Sequence, residues 1–337
     1  MTHELKQIVA TYISSRSKGL KTVLSTVVAL DGSSYRKPGV RMLIVEDETM
    51  VGAVSGGCVE KDILRQSKTV FDTGHPKMMT YDGRYRLGCE GILYILLERF
   101  NPGAEFIDTF NDCIENRFHF DIVSYFKKEI GEQKGLGSHF RIKDNNFPTS
   151  IHSKEIGEDL DLFSQSMPPC FKLMIFGAEH DAVQLCKFAA LNGWEVTIVT
   201  GPLESKTIVN FPGATAFFST SADEMELQNI DQETAIVLMT HNFANDLKFL
   251  IELKESQPAY LGLLGPSKRR EKLLSQLLEY CPNVETSFIE NIHGPAGLNI
   301  GAETPQEIAI SILSEILSVI RQQTPISLRA KEGGIHS

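Results

Sequence analysis

From Lys172 onward the chain alternates short apolar runs with stretches of helical spacing, and no other feature narrows the possible folds so far. Lys172-Leu173-Met174-Ile175-Phe176 reads as a buried strand, Gly177 to Glu179 as a tight turn, and Asp181 to Asn192 as a helix. Trp194 to Val199, Ala235 to Met239 and Tyr260 to Leu264 repeat the strand signal. Ala244 to Leu253 and Ser267 to Tyr280 repeat the helical one. This alternation predicts a parallel sheet joined by right-handed crossovers, a Rossmann-like domain over 169–325.

The preceding part follows a different pattern. Leu5 to Ser15 is an amphipathic helix, and Lys21 to Leu30, Arg41 to Glu46, Met50 to Val54 and Tyr94 to Glu98 read as strands around a helix at Val59 to Asp72. A mixed α+β domain over 1–126 is expected. Residues 127–168 hold scattered glycines, asparagines and charges with weak periodicity, so they predict an irregular connector with a hairpin around His139 to Lys143. Residues 326–337 read as a flexible tail. Two domains suit a chain of 337 residues.

Lys plus Arg number 33 against 43 for Asp plus Glu, and the resulting net charge of −10 argues against general nucleic-acid binding. The longest apolar runs are too short to cross a bilayer. Met1 to Ala10 lacks the apolar core of a signal peptide. The six cysteines form no CxxC, which predicts reduced thiols and a cytoplasmic setting.

Two glycine-rich turns carry the candidate chemistry of the first domain. In Ser55-Gly56-Gly57-Cys58-Val59-Glu60 the glycine pair turns the backbone sharply, directs N–H groups to one spot, and sets Cys58 at a helix N-terminus. The positive end of the helix macrodipole favours a thiolate there. A small buried residue at a tight corner is the other reading of Cys58, and the residues alone leave both open. Cys89 lies in a second such turn, Leu87-Gly88-Cys89-Glu90-Gly91. A structural zinc site is not expected, since no further ligands stand nearby in sequence. Arg36, Lys37 and Arg41, held by Pro38 and Gly39, are a candidate grip for a phosphate or carboxylate. A solvated charged loop is the alternative.

In the second domain Gly177-Ala178-Glu179-His180-Asp181-Ala182 occupies the place of a dinucleotide-binding turn, but Glu179 replaces the second glycine. Thr200-Gly201 replaces the acidic residue that receives a ribose. NAD(P) is therefore disfavoured. His241, at the end of a strand, is a candidate acid, base or ligand, with a structural histidine as the alternative. Gly265 precedes the basic first turn of the Ser267 helix. Gly297 and Gly301 sit in a rigid loop, His293 to Glu303, that leads into a helix capped by Thr304 and Glu307.

In combination these blocks resemble the xanthine dehydrogenase accessory factor (XdhC/CoxI) family. The likeness is carried by Ala29 to Met42, Val51 to Glu60, Leu87 to Glu98, Leu173 to Val199, Thr240 to Asp246, Tyr260 to Arg270 and His293 to Glu315. The resemblance implies a maturation factor, more a carrier than an enzyme, that binds molybdenum cofactor, assists its sulfuration by a cysteine desulfurase and inserts it into an apo molybdenum hydroxylase. It implies Cys58 as the metal-facing or sulfur-relay thiol, with Cys89 as its companion. Arg36, Lys37, Arg41, Gly56, Gly57, Gly177, His241, Gly265, Gly297 and Gly301 are the candidate cofactor contacts. The chain departs from the family at Cys89-Glu90-Gly91, where CGG is usual, and at Glu179. A nucleotide-dependent oxidoreductase and a cofactor-free scaffold are the competing readings. A homodimer is the default assembly.

Overall fold

The computed structural model describes residues 1–32, 37–55, 57–83, 91–224 and 230–331, and the backbone alone of Cys58. The chain falls into two compact units, Met1–Pro169 and Cys170–Ser337.

The first unit runs α1 (Thr2–Ser17), β1 (Thr22–Asp31), β2 (Arg41–Val45), β3 (Met50–Gly52), α2 (Cys58–Thr73), β4 (Lys77–Asp82), β5 (Ile92–Arg99), α3 (Ala104–Glu115), β6 (Phe120–Phe126), β7 (Gly131–Glu132), β8 (Gly137–Ile142), β9 (Asn145–Pro148) and β10 (Asp161–Met167). Its strands form two antiparallel sheets, ordered β3-β2-β1-β5-β4-β7 and β10-β6-β8-β9. One apolar cluster packs α2, through Ile63 and Val70, against Val27, Ile44 and Ile95 of the larger sheet. Another joins α1 and α3 to both sheets around Phe100, Phe106 and Phe140. Phe106 meets Phe100 and Phe140 edge-on, at centroid distances of 6.3 and 4.9 Å. Edge-on geometry is favoured by the ring quadrupoles.

The stretch 127–168 differs from the expected connector, because it supplies four strands. Its expected hairpin is present as β8 and β9, turning at Lys143, which adopts φ 53°. The periodicity was masked because polar side chains face inward. Ser138 is buried against Ser124 at 2.8 Å, and the His139 ring, 4% exposed, bonds the Ser153 carbonyl through Nε2 at 2.6 Å. A strand with satisfied polar groups inside does not alternate apolar and polar in sequence.

The second unit runs β11 (Lys172–Phe176), α4 (His180–Leu191), β12 (Glu195–Thr200), β13 (Ala214–Ser219), β14 (Thr234–Leu238), α5 (Phe243–Glu252), β15 (Tyr260–Leu263), α6 (Ser267–Tyr280), α7 (Thr286–Glu290), β16 (Ile292–His293) and α8 (Pro305–Ile320). All its pairings are parallel, in the order β13-β12-β11-β14-β15-β16. Helices cover both faces. Leu185, Ile312 and Ile316 of α4 and α8 pack on one side, and Leu250, Leu273 and Leu277 of α5 and α6 on the other. Among the described residues no helix is long and apolar enough to cross a membrane.

Cys113, Cys170 and Cys186 are buried, and Cys281 is half-buried. Burial raises the thiol pKa of Cys113, and pushes that of Cys186 up to about 11. Of these four, only Cys281 is therefore expected to react with a thiol reagent under native conditions, and all four in denaturant. Native labelling of Cys186, read by peptide mass, would contradict this packing.

Candidate functional site

In the first unit the glycine turn delivers Cys58 as the first residue of α2. Gly57 caps the helix at φ 112°, a conformation that suits glycine, and a Cβ there would meet open space. The buried Glu60 closes the turn. Its carboxylate accepts from the Gly57 N–H at 2.6 Å and from the Ser55 N–H. Two of the N–H groups expected to face a ligand are thus already bonded. Sequence reasoning missed this role, although a Glu three residues after a helix cap is its usual signal. Cys89, Arg36 and Gly56 lie outside the described residues.

Two of the three cations lie among the described residues, and they point differently. Lys37 is exposed, whereas Arg41 points into the unit with 8% exposure and donates to the Gly39 carbonyl at 3.0 Å and to Gln165 Oε1. This corrects the expectation for Arg41: its guanidinium ties the basic loop to β10 rather than facing solvent. A Cβ on Gly39, at φ 98°, would stand 2.6 Å from the Gln165 side chain, which would have to shift. Burial lowers the Arg41 pKa to about 10, opposed by the charge of Glu98.

Glu98 is fully buried and accepts from the Ser138 N–H at 2.9 Å and from the Thr149 and Ser153 hydroxyls. Burial nevertheless raises its pKa, these bonds pulling the other way. A carboxyl raised in the folded state binds protons more readily folded than unfolded. Its stabilising contribution is therefore full below the ordinary value of 4.5 and is lost as pH rises above it. As pH rises above 4.5 the wild type should lose stability relative to Glu98→Gln, with a slope of at most about 1.4 kcal/mol per pH unit. Urea unfolding at several pH values reads this difference, and parallel curves would refute it.

In the second unit the carboxyl ends of β11, β14 and β15 bring Gly177, His241 and Gly265 to the same edge of the sheet. Gly177 has φ 144°, and a Cβ on it would stand 2.3 Å from the Met239 carbonyl oxygen. His241, at φ 55° and half-exposed, faces Asp181 of α4 at 3.4 Å. The buried Asp246 accepts from the Thr240 hydroxyl at 2.6 Å and pairs with Arg269 at 2.6 Å. Lys206 donates to the Ala178 carbonyl at 2.6 Å and lies 3.8 Å from Glu179. The turn that would receive a pyrophosphate thus holds a carboxylate and an internal lysine. Asp181, Asp246 and Lys206 were not singled out from the sequence, since their roles arise only when the strands are adjacent.

Gly297 belongs to a separate hub. Its N–H and the Tyr260 hydroxyl both donate to Glu315 Oε2, at 2.8 and 2.6 Å, while His293 Nδ1 lies 3.6 Å from Oε1 and its ring stacks on Tyr260 at 4.5 Å. Burial opposes ionisation of Glu315, but the bonds from His293, Tyr260 and Gly297 outweigh it and lower its pKa. Gly301, at φ 73°, stands in open space. Among the described residues no group of three or more His, Cys, Asp or Glu is placed to hold a metal ion.

Numbered within the unit, the strand order 3-2-1-4-5-6, with a glycine turn where the order reverses, defines a Rossmann domain. Residues 173–316 match the family pattern described as the XdhC Rossmann domain, and residues 15–82 match that of the XdhC and CoxI family. The chain belongs to the XdhC and CoxI family. It is 29% identical over 321 residues to a probable xanthine dehydrogenase subunit of Bacillus subtilis (strain 168), covering 88% of this chain and 92% of that one. It is 24% identical over 324 residues to the molybdenum cofactor insertion chaperone PaoD of Escherichia coli (strain K12), covering 95% and 90%. A crystal structure described as that of a xanthine dehydrogenase from Bacillus halodurans superposes with a TM-score of 0.77 at 25% identity, over 96% of this chain and 98% of that one.

Proposed function

We propose that this chain binds molybdenum cofactor as cargo and inserts it into a xanthine dehydrogenase-type molybdenum hydroxylase. The observation that carries the reading is the match to a molybdenum cofactor insertion chaperone over nearly the whole of both chains. Cys58 at the start of α2 supports it, as a thiol at a helix N-terminus is suited to meet a metal. In this reading Arg36 and Lys37 receive the cofactor phosphate, Arg41 positions their loop, and Cys58 and Cys89 serve the metal or its sulfur. Gly57 and Gly56 shape the turn. Gly177, His241, Gly265, Gly297 and Gly301 are the contacts offered by the second unit. The proposal extends to sulfuration with a docked cysteine desulfurase, to a homodimer, and to a cytoplasmic setting, for which six scattered cysteines with no CxxC speak. Glu179 and Lys206 at the Gly177 turn count against an NAD(P)-dependent oxidoreductase.

Reconstitution tests the reading. Apo molybdenum hydroxylase supplied with cofactor should regain activity faster and further when the chain is present. Equal recovery with and without it, or turnover that depends on NAD(P), would overturn the proposal.

A further inference from the structure

Strand β13 forms one outer edge of the parallel sheet, and its own residues carry little of the usual protection of an edge. Outer strands are normally guarded against pairing by charged side chains, proline, bulges or shortness. From Thr207 to Ala222 the sequence contains no Asp, Glu, Lys or Arg, and its one proline, Pro212, precedes the strand. Val209 is 83% exposed and Phe218 55%. The register shift against β12 lies at its start, between Val196 and Thr197, and leaves Ala216 to Ser219 regular.

The hydrogen bonds set which groups face outward. Ser219 is in register with Thr200, and the Thr220 N–H donates to the Thr200 carbonyl at 2.9 Å. Alternation then directs the backbone groups of Phe218 and Thr220 toward β12, and those of Phe217 and Ser219 away from the sheet. An added antiparallel strand must place its own outward-facing residues opposite these. If that strand is β13 of a second copy, a two-fold axis at Phe217 pairs Thr215 to Ser219 of one strand with the same span of the other and sets Phe217 opposite Phe217. The exposed Phe218 then falls opposite the small Ala216, and Thr215 opposite Ser219. Large meets small, aromatic meets aromatic, and no charge is brought in from either side.

We propose that two copies of this chain associate about a two-fold axis by antiparallel pairing of β13, which continues the sheet from one copy into the other. The proposal rests on the homodimer reading above and names its surface. Phe218→Lys and Thr215→Lys alter exposed side chains: the first brings like charges together across the axis, and the second sets a long cation opposite Ser219 at the cost of the Thr215 hydroxyl's bond to the Val196 carbonyl. Sedimentation equilibrium of the full chain at micromolar concentration should give twice the 37.5 kDa chain mass. Each variant should weaken association at least tenfold with unchanged circular dichroism. A monomeric wild type would sink both the dimer and the surface, and a dimer indifferent to both lysines would sink the surface alone. Cofactor retention measured on the same samples reports separately on the insertion reading.

Discussion

Gly177→Ala is expected to destabilise the second unit by on the order of 4 kcal/mol, enough to lower its unfolding temperature by about 10 °C. Two causes add. At φ 144° an L side chain strains the backbone by about 1–3 kcal/mol. The new Cβ would also stand 2.3 Å from the Met239 carbonyl oxygen, a backbone atom that cannot swing aside. Met239 in turn donates its N–H to Phe176 at 2.8 Å, so relief would have to separate β11 from β14 in the middle of the sheet. Gly57→Ala is the control. Its φ is also left-handed, at 112°, but its Cβ meets nothing within 4 Å, so only the backbone strain remains. Calorimetry of both variants should show a much larger shift for Gly177→Ala. Equal shifts would mean that the close approach of β11 to β14 is absent.

Cys58→Ala is expected to reduce retention of molybdenum cofactor at least tenfold, about 1.4 kcal/mol, while leaving the fold intact. The α2 macrodipole favours a thiolate at its first residue by about 0.3–1 kcal/mol, and a metal binds the deprotonated sulfur. Retention by the wild type should therefore fall on acidification as the thiolate is protonated. Cys58→Ala should lose that thiol-linked part of the pH dependence. Cofactor release assayed across pH, with circular dichroism as the check on folding, tests both statements. Unchanged retention would remove the thiol from the mechanism and leave Cys58 as a small residue at a tight corner.

The parallel sheet was legible because its central strands are buried on both faces, so Leu173 to Phe176 and Ala235 to Met239 read as unbroken apolar runs. Strand β13 was not, because an edge strand of Ala, Thr, Phe and Ser lacks both that run and a clean alternation. In the first unit only the hairpin of the smaller sheet was legible, because Ser124 and Ser138 bond each other and His139 bonds the Ser153 carbonyl inside it. The candidate site divides the same way. The position of Cys58 followed from the Gly-Gly turn, a local signal. The inward course of Arg41 depends on Gln165, 124 residues away, and no local pattern announces such a partner. Likewise Glu179 stood out as a missing glycine, but the lysine that answers it comes from the loop after β12.

Equilibrium binding of isolated molybdenum cofactor to the purified chain, with NAD and NADP measured alongside, tests the central claim most directly. The account predicts saturable, stoichiometric binding of the cofactor and none of either nucleotide. Nucleotide binding without cofactor binding would contradict it.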